Sequence, residues 1–541
     1  MSRRYFPPSG AGGTDEEVLS PQSATGGPRG TEDGSGPNSP ARFSPIPSNP
    51  MESTPTRNEV DYSKKWFAMS AIGIGVLLST IDGSIVNIAL PTIREELDTT
   101  LPVVQWVSIS YLLTLATLVL GVGRWGDIAG KKRIYVAGIV SFTAASMLCG
   151  LAPSIEILIM FRIIQAVGAS MSMALGAAIA TEAFPPTERG RALGIIGTFV
   201  SVGVITGPSL GGFLISSWDW RAIFFVNLPV GIAGTILSIR YIPNTPPVGP
   251  RRFDFVGAGI MSSALLGVAL AVTMGQSMGF RSPAVLGTLV AGLTLAAIFV
   301  FYELRVDSPM LEPRLFKNPA LSVGVLNGFL VFMCTTTVAF LLPFFLEGVL
   351  GFEPRTTGIA MGISPLALGI VAPIAGTWSD RIGVRRISNT GIVLIAASYL
   401  GILGFGVNTT LGVFALVAIP LGIGIGVFQS PNNSAIMGSM PRSHIGVGGA
   451  LMTLTRLLGQ ITGIAVLGSL WAYRVSARTP GLEGDAISAP PESQVAALHD
   501  LALILVAILS CALVIGVYGM RREVRPFAPD SHSPSDPNPA G

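Results

Sequence analysis

The stretch LLSTIDGSIVNIALP, residues 77 to 91, carries one ionisable group, Asp82, in otherwise apolar surroundings. A charged carboxylate near the centre of a bilayer costs about 2.5–3.5 kcal/mol on insertion scales. Burial away from water favours its neutral form. A group that is neutral in one setting and ionised in another has the chemistry of a proton carrier. A second deep charge is Arg162, in LIMFRIIQAVGAS, and an arginine there must face a cavity or a partner. Further polar groups interrupt apolar runs later in the chain. Glu347 lies near the end of one run, where it is a second candidate for titration. Gln429 and Asn432 lie near the end of another, and Arg456 is about ten residues into a third.

The elements that must hold these residues are membrane helices. The chain has 541 residues, 49% hydrophobic and 12% charged, with a mean hydropathy of +0.61. Soluble domains carry roughly 25% charged residues, so the composition is that of a polytopic membrane protein. Helices that span a bilayer need about 20 mainly apolar residues. Fourteen such runs are expected, at 66–90, 104–123, 134–152, 155–181, 191–216, 221–241, 256–275, 284–303, 320–346, 356–377, 388–406, 411–435, 446–473 and 501–520. With the N-terminus in the cytoplasm, twenty-one Lys and Arg fall in short cytoplasmic segments and six in outer ones. That asymmetry fits the positive-inside rule and an even number of spans, with both termini cytoplasmic.

Residues 1–62 and 523–541 are expected to be disordered cytoplasmic tails. The first sixty residues hold 10 Pro, 8 Gly and 9 Ser, too few large apolar groups to offset the entropy of ordering. The polar break 474–500 is expected to be the main loop on the outer side. Two cytoplasmic loops repeat a pattern. GRWGDIAGKKRI follows the second run and GTWSDRIGVRRI the tenth, with Gly, Trp, Asp, Gly and a basic pair at matching places. Related loops at equivalent places imply two related six-helix halves, 63–245 and 319–522, with the two helices of 246–318 inserted between them.

These motifs, in this order, resemble the major facilitator superfamily, and within it the fourteen-helix drug:proton antiporters. The resemblance covers residues 66 to 520. It implies an all-α fold of two six-helix halves with two inserted helices. It implies proton coupling through Asp82, whose V-N-x-A-L-P continuation is kept, and through Arg162. Gln165 and Gly168 match the family pattern after that arginine, whereas Ala166 replaces a glycine. It assigns conformational roles to Gly126, Asp127, Gly130, Lys131 and Arg133 in the first repeated loop and to Asp380, Arg381, Gly383 and Arg385 in the second. Ile128 stands where relatives carry a basic residue. Gly207, Pro208 and Gly211, in GVITGPSLGGFL, resemble the motif of antiporters. The substrate cavity is then expected at Asn87, Gln165, Gln429, Asn432, Arg456 and Glu347. The stretch WDWRAIFFVNLPVG resembles the family's sixth helix, and its Trp218 and Trp220 suit a lipid–water boundary.

Other functions find little support. GVGRWG has the spacing of a dinucleotide loop but ends an apolar helix instead of following a strand. DIAGKK lacks the first glycine and the final Ser or Thr of a phosphate loop. Three scattered histidines and three distant cysteines suggest neither a metal site nor a disulfide framework. The expectation is therefore a monomeric, multi-pass exporter of the cell membrane. It would have no cofactor, metal, ATP or nucleic-acid partner, and would be driven by protons. Its cargo would be amphipathic small molecules, or else one endogenous metabolite or lipid.

Overall fold

The computed structural model describes residues 62–185, 188–244, 254–279, 281–306, 313–440, 445–479 and 485–522. Both expected tails lie outside them. The first six long helices are α1 (Lys65–Glu96), α2 (Leu101–Ala129), α3 (Lys131–Gly150), α4 (Ile155–Ala183), α5 (Arg189–Ser217) and α6 (Asn227–Tyr241), the last preceded by a short turn, Ala222–Phe225. Next come α7 (Phe255–Met278) and α8 (Pro283–Glu303). The second set is α9 (Pro319–Phe344), α10 (Pro354–Ile382), α11 (Val384–Gly401), α12 (Leu411–Gly438), α13 (Ile445–Thr462) and α14 (Pro491–Arg522). Both α9 and α13 run on into π turns, Phe345–Val349 and Gly463–Leu467, and the second leads into Gly468–Arg478. Thirteen of the described spans are long and apolar enough to cross a membrane. The remaining expected span forms α7, whose described apolar run, Val256–Val272, is shorter.

One pairing scheme occurs twice. In the first set α1 packs on α5 and α6, α3 on α4 and α6, and α2 on α4. In the second, α9 packs on α13 and α14, α11 on α12 and α14, and α10 on α12. Small residues make these approaches possible. A Cβ at Gly168 of α4 would lie 2.4 Å from the Phe142 nitrogen, and one at Gly391 of α11 would lie 2.5 Å from the Phe428 nitrogen. The repeated loops share a bend as well. Gly130 and Gly383 have φ of 97° and 106°, a region that glycine enters without steric cost. The inserted pair α7 and α8 pack together through Gly267 and Gly292, and Ser262 of α7 donates to the Thr117 carbonyl of α2 at 3.1 Å.

The halves meet through α5 with α10 and α2 with α13. The α5–α10 contact is backbone on backbone toward the outer side. A Cβ at Gly212 would lie 2.3 Å from the Pro354 oxygen, and one at Gly358 would lie 2.5 Å from the Pro208 oxygen. Arg94, at the outer end of α1, approaches Asp485 of the second half at 3.5 Å, and that carboxylate also accepts from the Leu101 nitrogen. Together these contacts close the outer side.

Two expectations change. The stretch 474–500 is helical at both ends, through Arg478 and again from Pro491. Its charges conceal an apolar stripe in which Val475, Val495 and Leu498 are buried, and Gln494 donates to the Ile487 and Ala489 carbonyls. Trp218 is exposed, but Trp220 is fully buried and donates to Glu96 at 3.0 Å, so only the first has the surroundings of a boundary residue.

Substituting Gly212 or Gly358 with Val should open the outer seam, because a β-branched side chain cannot fit against backbone. Labelling of a single outer-face cysteine by an impermeant maleimide should rise several-fold, with helix content unchanged. Unaltered labelling would show that this contact does not hold the seam.

Candidate functional site

Asp82 lies midway along α1 and is fully buried, and Arg162 of α4 is 1% exposed. The two form one ion pair, with Arg162 Nη1 2.6 Å from Asp82 Oδ2. The same nitrogen donates to Gln165 Oε1 at 2.7 Å, and Arg162 Nε donates to the Val107 carbonyl of α2 at 3.2 Å. Gln165 is clamped in turn. Its Nε2 donates to Asp82 Oδ1 at 2.8 Å, and the Cys149 thiol lies 3.6 Å from its Oε1. Spacing by three on α4 puts Arg162 and Gln165 on one face. Every described partner of the Asp82 carboxylate is a donor.

A fourth helix completes the cluster. Asn227, at the start of α6, donates from Nδ2 to Asp82 Oδ1 at 3.4 Å and to Ser146 Oγ of α3 at 3.0 Å. Ser146 donates onward to the Phe224 carbonyl at 2.9 Å. The Tyr111 ring lies 4.2 Å from Arg162 Cζ, close enough for a cation–π contact. Asn227, Ser146, Cys149 and Tyr111 are not evident as site residues from the sequence. Asn227 had a signal, a carboxamide inside the apolar run FFVNLPVG. The others had none, since Ser, Cys and Tyr are common in packed helices.

The glycines of α5 lie directly behind this cluster. Gly203, Gly207 and Gly211, one turn apart, face the α1 segment that carries Asp82. Added Cβ atoms there would lie 2.0 Å from Thr80 Oγ1, 1.9 Å from Ser84 Oγ and 2.7 Å from Ile85 Cγ1. Pro208 and Gly212, on an adjoining face, meet α10 of the other half. The helix therefore touches the segment bearing the acid and the opposite half at once.

The expected cavity residues do not form one group. Gln165 belongs to the buried cluster. Asn87 accepts from Ser108 at 3.3 Å and so ties α1 to α2. Asn432 is buried and donates to the Gly324 carbonyl at 3.1 Å, joining α12 to α9. Buried carboxamides next to bare backbone satisfy their polar atoms this way instead of facing a cavity. Glu347 sits on the π turn after α9, at the outer seam, near Thr357 and close enough to Glu95 for the charges to interact. Gln429 and Arg456 are half-buried on α12 and α13.

In the first repeated loop, a Cβ on Gly126 would collide with Leu175 of α4, and Lys131 pairs with Glu182. Arg133 and Arg381 are exposed. Arg385 is 9% exposed and lies against Gly519 of α14. The side chains of Asp127 and Asp380 lie outside the described residues.

Comparison with known proteins follows this geometry. The family model described as Major Facilitator Superfamily matches residues 72–255 and 250–464. The riboflavin transporter RibZ of Clostridioides difficile (strain 630) is 34% identical over 416 residues, covering 76% of this chain and 90% of that protein. The multidrug resistance protein Stp of Mycobacterium tuberculosis (strain ATCC 25618 / H37Rv) is 32% identical over 411 residues, covering 75% and 76%. Among solved structures, a bacterial homolog of the human lysosomal transporter Spinster, inward-facing and unoccupied, aligns with a TM-score of 0.63 at 16% identity. That alignment covers 85% of this chain and 97% of that one, and the likeness is one of fold.

Removing one member of a buried pair strands the other, at about 3–5 kcal/mol. Asp82→Asn and Arg162→Gln should each lower the melting temperature in detergent. The double variant should recover a large part of the loss, giving a coupling energy above about 1 kcal/mol in the cycle. Additive losses would show that the two side chains do not act as a pair.

Proposed function

The chain belongs to the Major Facilitator Superfamily and is a multi-pass transporter of the cell membrane, not an enzyme; from that premise we propose that it exports amphipathic small molecules in exchange for protons. The observation that carries this reading is the Asp82–Arg162 pair, buried at 0% and 1% exposure in an otherwise apolar bundle.

Protonating Asp82 removes the negative half of the pair. Arg162 is then an uncompensated cation in surroundings that penalise it. Proton entry is therefore unfavourable unless Arg162 turns toward water or another acceptor, and that movement shifts α1 against α4. The Asp82 segment of α1 rests on Gly203, Gly207 and Gly211, and Gly212 of the same α5 rests on α10. A shift that begins at the proton site thus reaches the seam between the halves. Protonation from outside favours cargo release there, and deprotonation on the inner side resets the cycle.

The direction of transport rests on the likeness of Gly207, Pro208 and Gly211 to the antiporter motif, and on relatives named as multidrug resistance proteins. The driving force is adequate. One charge moving through 100 mV releases about 2.3 kcal/mol, and one pH unit adds about 1.4 kcal/mol. A second reading, export of one endogenous metabolite, is favoured by the likeness to a riboflavin transporter.

A screen of drugs, dyes and metabolites in a host lacking its own pumps separates the two readings. Protection against several unrelated compounds supports multidrug export, and protection or secretion confined to one metabolite supports the alternative. In inside-out vesicles a transported compound should evoke proton movement, which Asp82→Asn should reduce at least tenfold at equal protein level. Undiminished proton movement in that variant removes Asp82 from coupling. Uptake driven by ATP with an uncoupler present rejects the gradient altogether.

A further inference from the structure

One deep charge is left out of the cluster. Arg456 lies five residues into the membrane span Leu451–Arg478, about 8 Å along the axis at 1.5 Å per residue. That is inside a hydrocarbon core about 30 Å thick. Arg456 has no hydrogen-bond or ion-pair partner among the described residues. The other deep charges are accounted for: Asp82 and Arg162 cancel each other, Asp500 of α14 is held by Arg478, and Glu347 stands at the outer seam.

The direction of Arg456 follows from its neighbours. A Cβ at Gly328 of α9 would lie 3.4 Å from Thr455 Cγ2, and one at Gly459 would lie 2.7 Å from the Phe329 oxygen. Thr455 and Gly459 therefore face α9. Arg456 and Gln460 each follow one of these residues, which places them about 100° further round the helix. Spacing by four puts them side by side. Both are partly exposed, as are Gly449 and Met452 on the same stripe, and no described residue from Gly448 to Ala472 is exposed. Helices that meet lipid look different; α8, for example, exposes Leu286, Val290, Leu293 and Phe301. The partial exposure of this stripe is thus toward the space between the halves. Gln460, like Arg456, lacks a hydrogen-bond partner among the described residues.

We infer that the Arg456 guanidinium, with the Gln460 carboxamide one turn away, anchors an anionic group of the transported molecule, a carboxylate, sulfonate or phosphate. The inference rests on the transport reading and narrows its cargo. A guanidinium presents a planar fork of donors that fits two oxygens of such a group. The carboxamide adds two more donors within reach and one acceptor. Bound cargo supplies the missing counter-charge within the membrane. A cationic molecule meets like charge there, and no described carboxylate close by is free to hold it.

The test is equilibrium binding, which does not require transport. The full chain is placed in phosphatidylcholine nanodiscs and titrated with fluorescein, a carboxylate-bearing anion at neutral pH, and rhodamine 123, a methyl ester and a cation on the same xanthene skeleton. Fluorescence anisotropy is read against empty discs. Fluorescein should bind at least tenfold more tightly than rhodamine 123. Arg456→Gln should weaken fluorescein at least tenfold and Gln460→Ala severalfold, whereas Arg456→Lys, which keeps the charge, should retain most of the affinity. An unchanged elution volume in gel filtration excludes misfolding as the cause. Absence of saturable fluorescein binding, preference for the cation, or fluorescein affinity within twofold of wild type in Arg456→Gln would overturn the inference. Binding as described without gradient-driven movement in proteoliposomes would keep the anion site and reject the transport reading instead.

Discussion

The constraint on which the molecule depends is electrostatic. A carboxylate and a guanidinium are held together where water is excluded, and each is tolerable there only because of the other. Four helices of one half then serve the pair. Helices α1 and α4 supply the charges, α6 supplies the Asn227 carboxamide, and α2 lends the Val107 carbonyl and the Tyr111 ring. Among the described residues every partner of the pair comes from the first half, so the buried charge pair is a property of one bundle. That bundle is joined to the other by α2, which packs on α13, and by α5, which has no side chains at its tightest contacts with α10.

This division of labour explains why the polar residues fall into two kinds. Those whose described hydrogen bonds reach other helices, Asp82, Arg162, Gln165, Asn227 and Asn432, fix helices in place. Arg456 and Gln460, on the α13 stripe, have no hydrogen-bond partner among the described residues and remain available to something that comes and goes. A binding residue in a transporter cannot be fully satisfied by its own protein, because it must favour a ligand and then release it. Satisfaction of polar atoms thus separates scaffold from cargo contact more sharply than polarity alone.

Much of the architecture is legible in the sequence because a bilayer imposes one rule, about 20 apolar residues per crossing. Asp82 and Arg162 were legible singly, since each breaks that rule in mid-run. Their pairing was not, because eighty residues separate them and only the packing of α4 on α1 brings them together. Gln165 is expected among the cavity residues, although its spacing from Arg162 already puts both on one face. The stretch 474–500 reads as a loop because its charges mask the helical spacing of Val495 and Leu498. The spacing of the α5 glycines was legible, but nothing in one dimension says that three of them meet α1 and the fourth meets the opposite half.

The glycines of α5 also limit how the chain can change over evolutionary time. At Gly207, Gly211 and Gly212 a variant can only add atoms, and the space for those atoms is already filled by the Ser84 hydroxyl, the Ile85 side chain and the Pro354 carbonyl. Along this spine there is no gradual route to a new side chain. Selection for different cargo therefore has to act elsewhere, where substitutions leave the contacts of α5 with α1 and α10 untouched.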